Sequence, residues 1–154
     1  MSAFLSPNFF KEYKFIAIGL SGGPDSLALT HMLSQLCSKH NLNTEIHALI
    51  INHNLRPEAA DEAEEVAQIA KTLPCVTPVI LRWDMPETDS RIMEAARAAR
   101  YDLMANYCVE QDIKYLYIAH HLDDQAETFL FRLAKGSGLD GLCGMQETYA
   151  YSDD

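Results

Sequence analysis

Two short polar clusters hold most of the residues in this chain whose types and spacing suit chemistry. The first is Ser21-Gly22-Gly23-Pro24-Asp25-Ser26. Adjacent glycines let a backbone approach an anion closely and adopt positive φ. If a helix opens here, its first turn offers N–H groups and the positive end of its dipole to that anion. Ser21 and Ser26 add hydroxyl donors. Asp25 is the informative member, because a carboxylate beside bound phosphates repels them unless a cation lies between. Mg²⁺, which prefers carboxylate and phosphate oxygens, meets that requirement. The loop is neither GxxxxGK(S/T) nor GxGxxG. The competing reading is a tight strand-to-helix turn with Asp25 or Ser26 as its cap.

The second cluster is His120-His121-Leu122-Asp123-Asp124-Gln125-Ala126-Glu127-Thr128. Asp124 and Glu127 are three apart and share a helix face, and Asp123 and Glu127, four apart, can also meet. Carboxylates at a helix start, behind two histidines at a strand end, form an acid/base or metal-binding constellation. Capping is the other reading, with Asp123 or Asp124 as the cap and Glu127 completing a capping box. The two readings are compatible. For the histidines, a structural role stands beside a chemical one.

The elements that must position these clusters follow from apolar periodicity. Lys14 to Leu20, Thr44 to Ile51, Val76 to Trp83 and Lys114 to Ala119 read as strands. Between them come helical patterns. After the first loop, Leu29, Met32, Leu33 and Leu36 recur at helical spacing. Glu58 to Leu73 places Ala59, Ala63, Val66, Ala70 and Leu73 on one face, and its acidic first turns read as a solvated face. Ser90 to Gln111 is the longest pattern, with Ile92, Ala95, Ala96, Ala99 and Leu103 inward. A last helix follows Asp124, with Ala126, Phe129, Leu130 and Leu133 inward, and Gly136-Ser137-Gly138 ends it. Strands alternating with helices predict an α/β fold, with a parallel sheet covered by helices on both faces. In such sheets ligands bind beyond the carboxyl ends of the strands. The polar clusters 21–26, 52–56 and 120–124 all follow strands, so they are expected to converge on one sheet edge.

The chain has 154 residues, 48% hydrophobic and 22% charged, which fits one globular domain rather than a disordered chain. The boundaries read as one domain over 1–154, with an extension over 1–13 and an irregular tail over 146–154. The stop after Gln146 to Asp154 suggests an N-terminal fragment of a longer protein. Twelve basic against 22 acidic residues give a net charge of −10, which excludes nucleic-acid binding by bulk electrostatics. No apolar run approaches the roughly 18 residues of a membrane span. Residues 1–15 lack a basic n-region followed by a long apolar stretch. Cys37, Cys75, Cys108 and Cys143 form no CxxC pair and read as reduced thiols of a cytoplasmic protein.

Ser21 to Ser26 after a first strand resembles the SGGxDS signature of the PP-loop superfamily. That resemblance implies a Rossmann-type, adenine nucleotide alpha hydrolase-like fold that cleaves ATP between the α- and β-phosphates. It implies a pyrophosphate cradle at Ser21, Gly22, Gly23, Pro24, Asp25 and Ser26. His120 to Met145 closely resembles the corresponding stretch of the tRNA(Ile)-lysidine synthetase family. Ala96-Arg97-Ala98-Ala99-Arg100-Tyr101 is similar to that family's ARxxRY segment, and Asn52-His53-Asn54-Leu55-Arg56 to its DHGLR segment. The matches run from about residue 14 to 145, nearly the whole chain, and together are more specific than any one motif.

What this second resemblance implies is a ligase. ATP adenylates the 2-carbonyl oxygen of the wobble cytidine in a CAU-anticodon isoleucine tRNA. Free L-lysine then displaces AMP to give lysidine. By motif, Asp25 and Asp124 are the Mg²⁺-linked catalytic carboxylates, and Glu127 helps to hold the lysine ammonium. Arg97, Arg100, His121 and Arg56 are expected at the substrate, although the arginines also read as solvated side chains. Asn52 stands where that family usually has Asp, Asn54 where it has Gly, and Ala119 where Gly is common. The rival readings are another PP-loop ATP pyrophosphatase acting on tRNA and a non-catalytic ATP-binding module. Absence of CxxC speaks against a thiolase that uses an iron–sulfur cluster, and carboxylates after two strands speak against a storage module.

Overall fold

The computed structural model describes residues 5–52, 58–83 and 92–119, with residues 92–99 described in backbone only. By compactness the chain divides into two units, Met1–Ile118 and Ala119–Asp154. Only Ala119 of the second unit is described, so the last expected helix and its inward residues lie outside the described residues.

The first unit runs α1 (Pro7–Phe10), β1 (Phe15–Gly19), α2 (Pro24–Lys39), β2 (Glu45–Asn52), α3 (Ala59–Lys71), β3 (Val76–Arg82), α4 (Ile92–Glu110) and β4 (Leu116–Ile118). All strand pairs are parallel, in the order β3-β2-β1-β4. The α/β fold read from periodicity is therefore the one observed, and each strand falls within a residue or two of its expected bounds. Pro78 sits inside β3, where a missing N–H is tolerated because β3 borders the described sheet on one side.

Strand alternation divides the core into two layers. Ile16, Ile18, Ile46, Ala48 and Ile50 meet α2 and α3 on one face, and Ala17 and Leu49 meet Met104, Cys108 and Ile113 on the other. Each fully buried isoleucine of this kind contributes about 1.5–3 kcal/mol. The first two crossovers step outward from β1 to β3. The third returns to the far side of β1, so the strand order reverses between β1 and β4.

Two helical faces differ from their expected patterns. The buried stripe of α2 is Ser26, Thr30, Leu33, Ser34 and Cys37, while Leu29 and Leu36 are only partly buried and Met32 is 63% exposed. Small hydroxyl residues bring the helix close to the sheet, and each hydroxyl finds a carbonyl. Thr30 Oγ1 donates to Ser26 O at 2.7 Å and Ser34 Oγ to Pro74 O at 2.7 Å. The leucine spacing thus marks the helix and shares Leu33 with its buried face, while the hydroxyl residues that complete that face carry no apolar signal. In α4 the core position belongs to Met104 rather than to its half-buried neighbour Leu103.

Residues 5–13, ahead of the first strand, are integrated into the domain. Ser6 caps α1 by accepting from Phe9 N, and Phe10 is fully buried in the main core. The rings of Phe9 and Tyr13 each pack edge-on to Tyr115 at 4.8 Å, and they meet each other tilted at 4.9 Å.

Candidate functional site

The loop between β1 and α2 sits where β1 leaves the sheet, at the reversal of strand order. Leu20 N donates to Leu49 O at 2.8 Å, so the chain stays beside β2 for one residue past β1. It then turns at Gly22, whose φ of +81° is the left-handed region. No room exists for a side chain there, because a Cβ on Gly22 would fall 2.7 Å from Val66 Cγ2. Gly23 follows in extended conformation as the N-cap of α2, with Pro24 just inside the helix. That order matches the preference of proline for the first helical position.

The N-cap residue of α2 makes no side-chain cap hydrogen bond. The reading of Asp25 or Ser26 as a cap is thus corrected: the N-cap is a glycine, which has nothing to cap with. Ser26 is turned inward, 5% exposed, and braces the loop instead. Its Oγ donates to Gly23 O at 3.0 Å and accepts from Ser21 N at 3.2 Å. Ser21 Oγ, 3.0 Å from Ser26 Oγ, closes the ring and accepts weakly from Gly23 N at 3.4 Å. Asp25 is exposed in the first turn of α2, where the helix dipole favours a carboxylate. The result is a glycine turn of fixed shape that leads into a helix N-terminus with a glycine at its cap, which together suit an anion.

A second approach to the same strand comes from α4. Gly19, the last residue of β1, has no space for a Cβ, which would lie 2.7 Å from Ile118 Cδ1 and 3.1 Å from Met104 Sδ. It would also lie 3.8 Å from Arg100 Nη2. Arg100, one of the expected substrate residues, therefore brings its guanidinium to the carboxyl end of β1, two residues before the loop. Arg97 belongs to α4, but its side chain lies outside the described residues, as do Arg56, His121, Asp124 and Glu127. Asn52 ends β2, buried at 6% exposure, and its carbonyl accepts from Trp83 N at 3.0 Å.

Sequence reasoning gave no role to Gly19 or Val66. A glycine closing an apolar strand signals close backbone approach, so Gly19 was findable. Val66 carried only its place in a helical pattern.

Among the described residues no group of three His, Cys, Asp or Glu could hold a metal ion. Magnesium bound to a nucleotide needs only one or two carboxylates, because phosphates and waters fill its other positions. Asp25, exposed at the head of α2, fits that requirement. No described helix is long and apolar enough to cross a membrane.

Fold and loop define a class: a doubly wound α/β domain that presents a helix N-terminus at its topological switch point, the arrangement that receives phosphates. The family follows directly. A model of the PP-loop domain matches residues 1–153, and the chain belongs to that family. It is 46% identical to the tRNA(Ile)-lysidine synthase of Wolbachia pipientis wMel over 84% of its own length and 30% of that protein. It is 44% identical to the enzyme of the same name from Methylobacterium nodulans over 85% of its length and 37% of that protein. The chain thus spans about a third of the length of these curated relatives. Among solved structures, the U34-tRNA thiolase NcsA of Methanococcus maripaludis superposes with a TM-score of 0.72 at 19% identity, covering 86% of this chain and 47% of that one. That likeness is one of fold.

Proposed function

We propose that this chain is the ATP-using part of a tRNA-modifying ligase that joins L-lysine to the wobble cytidine of an isoleucine tRNA with a CAU anticodon. The observation that carries the proposal is the turn at Gly22 and Gly23 opening directly into the N-terminus of α2, at the strand-order reversal. The names of the relatives supply the substrate class.

The chemistry needs two substitutions. The 2-carbonyl oxygen of cytosine attacks the α-phosphorus of ATP, forming an O–P bond and releasing pyrophosphate. The lysine amine then attacks carbon 2, and the C–O bond breaks to release AMP. Adenylation matters because a urea-like oxygen is a poor leaving group. The backbone of Gly22 and Gly23 and the first turn of α2 would receive the departing pyrophosphate, whose charge the helix dipole offsets. Asp25, with Asp124, would hold Mg²⁺, which when bound neutralises charge on the phosphates. Glu127 would face the lysine ammonium. Arg100, already at the end of β1, would meet phosphate or substrate, with Arg97, Arg56 and His121 as further substrate contacts.

The test is ATP–pyrophosphate exchange with Mg²⁺ and unmodified CAU-anticodon tRNA, with and without lysine. It is run on this chain and on a version extended by the remainder its relatives carry. At a net charge of −10 this chain alone is expected to hold tRNA weakly. The extended version is expected to exchange only with that tRNA and then to incorporate lysine. Exchange with a different tRNA would assign the chain to another PP-loop tRNA enzyme. ATP binding with no exchange in either version would make it a binding module.

A further inference from the structure

We propose that Val66 is a positioning residue for the glycine loop: its side chain, projecting from α3, fixes the bend at Gly22 from behind. The functional consequence rests on the nucleotide reading above; the mechanical claim does not.

Three observations carry the inference. First, the loop bends at one residue, Gly22, in the left-handed region, and a bend of that kind needs something to hold it. Second, the space a Cβ would take at Gly22 is occupied by Val66, whose Cγ2 would be 2.7 Å away and whose Cβ and Cγ1 would each be 3.9 Å away. Third, the buried residues around Val66 on α3 are Ala63, Ala67 and Ala70, so this face is otherwise made of small side chains and Val66 is the larger apolar group packed against the core there, Ile69 being exposed. A valine in a helix is held to one χ1 rotamer about nine times in ten, so its methyl groups are a fixed stop rather than a flexible filler.

The loop is therefore held from two sides. The Ser21–Ser26 hydroxyls hold it from inside, and they belong to the loop and its own helix. Val66 belongs to α3, and ties the phosphate-facing bend to a different element of the domain. If the stop is removed, Gly22 regains the wide conformational range that glycine otherwise has, and the N–H groups that should face an anion are no longer held in place.

The experiment compares the wild-type chain with Val66→Ala, with Val66→Thr, which keeps the branched shape, and with Ile69→Ala, an exposed position on the same helix. Amide hydrogen exchange is read without ligand, followed by titration with ATP and Mg²⁺. Val66→Ala is expected to speed exchange at Ser21, whose N–H donates to Ser26 Oγ, and at Leu27, whose N–H donates to Gly23 O, by roughly tenfold beyond any change at the buried β2 amides, which report global opening. Val66→Thr is expected to return it to the wild-type rate and Ile69→Ala to leave it unchanged. Should Val66→Ala fail to fold, Val66→Met, unbranched but apolar, takes its place with the same expectation. ATP affinity is expected to fall in parallel with loop exchange and to recover in Val66→Thr. Loop amides that stay unchanged, or that speed up only as much as β2, would overturn the proposal, as would wild-type ATP affinity in a variant with a loosened loop. If the wild-type chain binds no ATP, the nucleotide reading fails, while hydrogen exchange still decides the role of Val66.

Discussion

His47 Nδ1 lies 2.9 Å from the Tyr107 hydroxyl, so a titratable bond pins the middle of the sheet to α4. The ring also stands edge-on to Phe15 at 5.2 Å, and its Nε2 is 3.7 Å from Glu45 Oε1, which in turn accepts from the Thr77 hydroxyl. With Tyr107 donating to Nδ1, the neutral ring carries its proton on Nε2, toward Glu45. Burial lowers the His47 pKa, and Glu45 offsets part of that.

The sign of the pH effect follows. The unfolded chain takes a proton on this histidine near its ordinary value of about 6.5, and the folded chain only below that. Stability from this site is complete above that value, falls as the pH drops below it, and levels off beneath the folded pKa. The stability advantage of wild type over His47→Gln, measured by urea unfolding, is expected to shrink as the pH falls from about 7.5 to about 5.5. An advantage that grows on acidification would contradict this.

Ser26→Ala removes the acceptor of Ser21 N and the donor to Gly23 O together. The expected loss is about 1–3 kcal/mol in denaturant unfolding. A larger effect is expected on ATP binding than Thr30→Ser produces, because Thr30 braces the helix one turn beyond the loop.

Gly22→Ala meets both a left-handed φ, worth about 1–2 kcal/mol, and the Val66 methyl at 2.7 Å. Its neighbour Gly23 has ordinary N-cap angles, and its Cβ would meet only Ser21 Oγ at 3.4 Å. Thermal unfolding is expected to show a large drop for Gly22→Ala and a loss under about 1 kcal/mol for Gly23→Ala. Equal losses would mean that the two glycines are not distinguished in this way.

Asp25→Asn is expected to separate stability from activity. Loss of a favourable charge at the α2 N-terminus costs about 0.3–1 kcal/mol. Exchange activity in the extended chain is expected to fall by on the order of a hundredfold or more. Melting curves and initial exchange rates read the two separately.

Burial pushes the thiols of Cys37 and Cys108 up to about 11. Thiolate is the reactive form, so an alkylating reagent near pH 8 is expected to modify these two only as fast as the domain opens. Mass spectrometry of peptides labelled before and after denaturation checks this. Rapid native labelling at Cys37 would show that α2 is not seated as described.

Much of the fold was legible because period and punctuation agreed. Phe15–Gly19 and Glu45–Asn52 are short apolar runs bounded by polar turns, and Ser21–Ser26 announces a strand-to-helix connection. What was not legible depends on contact rather than pattern. The seated face of α2 is marked by hydroxyls whose partners are carbonyls, one of them Pro74, 40 residues away. The α1 turn is too short for any period. Of the site, the loop and its glycines were visible in the sequence, while Gly19, Val66 and the reach of Arg100 depend on what α3 and α4 bring to β1. The chemistry expected of Asp124 and Glu127 rests on motif and spacing alone.

The Thr44 hydroxyl faces two carbonyls of the N-terminal segment, Phe10 O at 2.6 Å and Tyr13 O at 2.9 Å. This single side chain works as a clasp, holding residues 10–13 against the foot of β2. For anyone dissecting the protein into minimal expressible pieces, the safe cut is therefore ahead of Leu5 and not at the first strand. A piece begun at Lys14 would retain every described strand yet leave a hole the size of a phenylalanine in its core and strip the clasp of its partners.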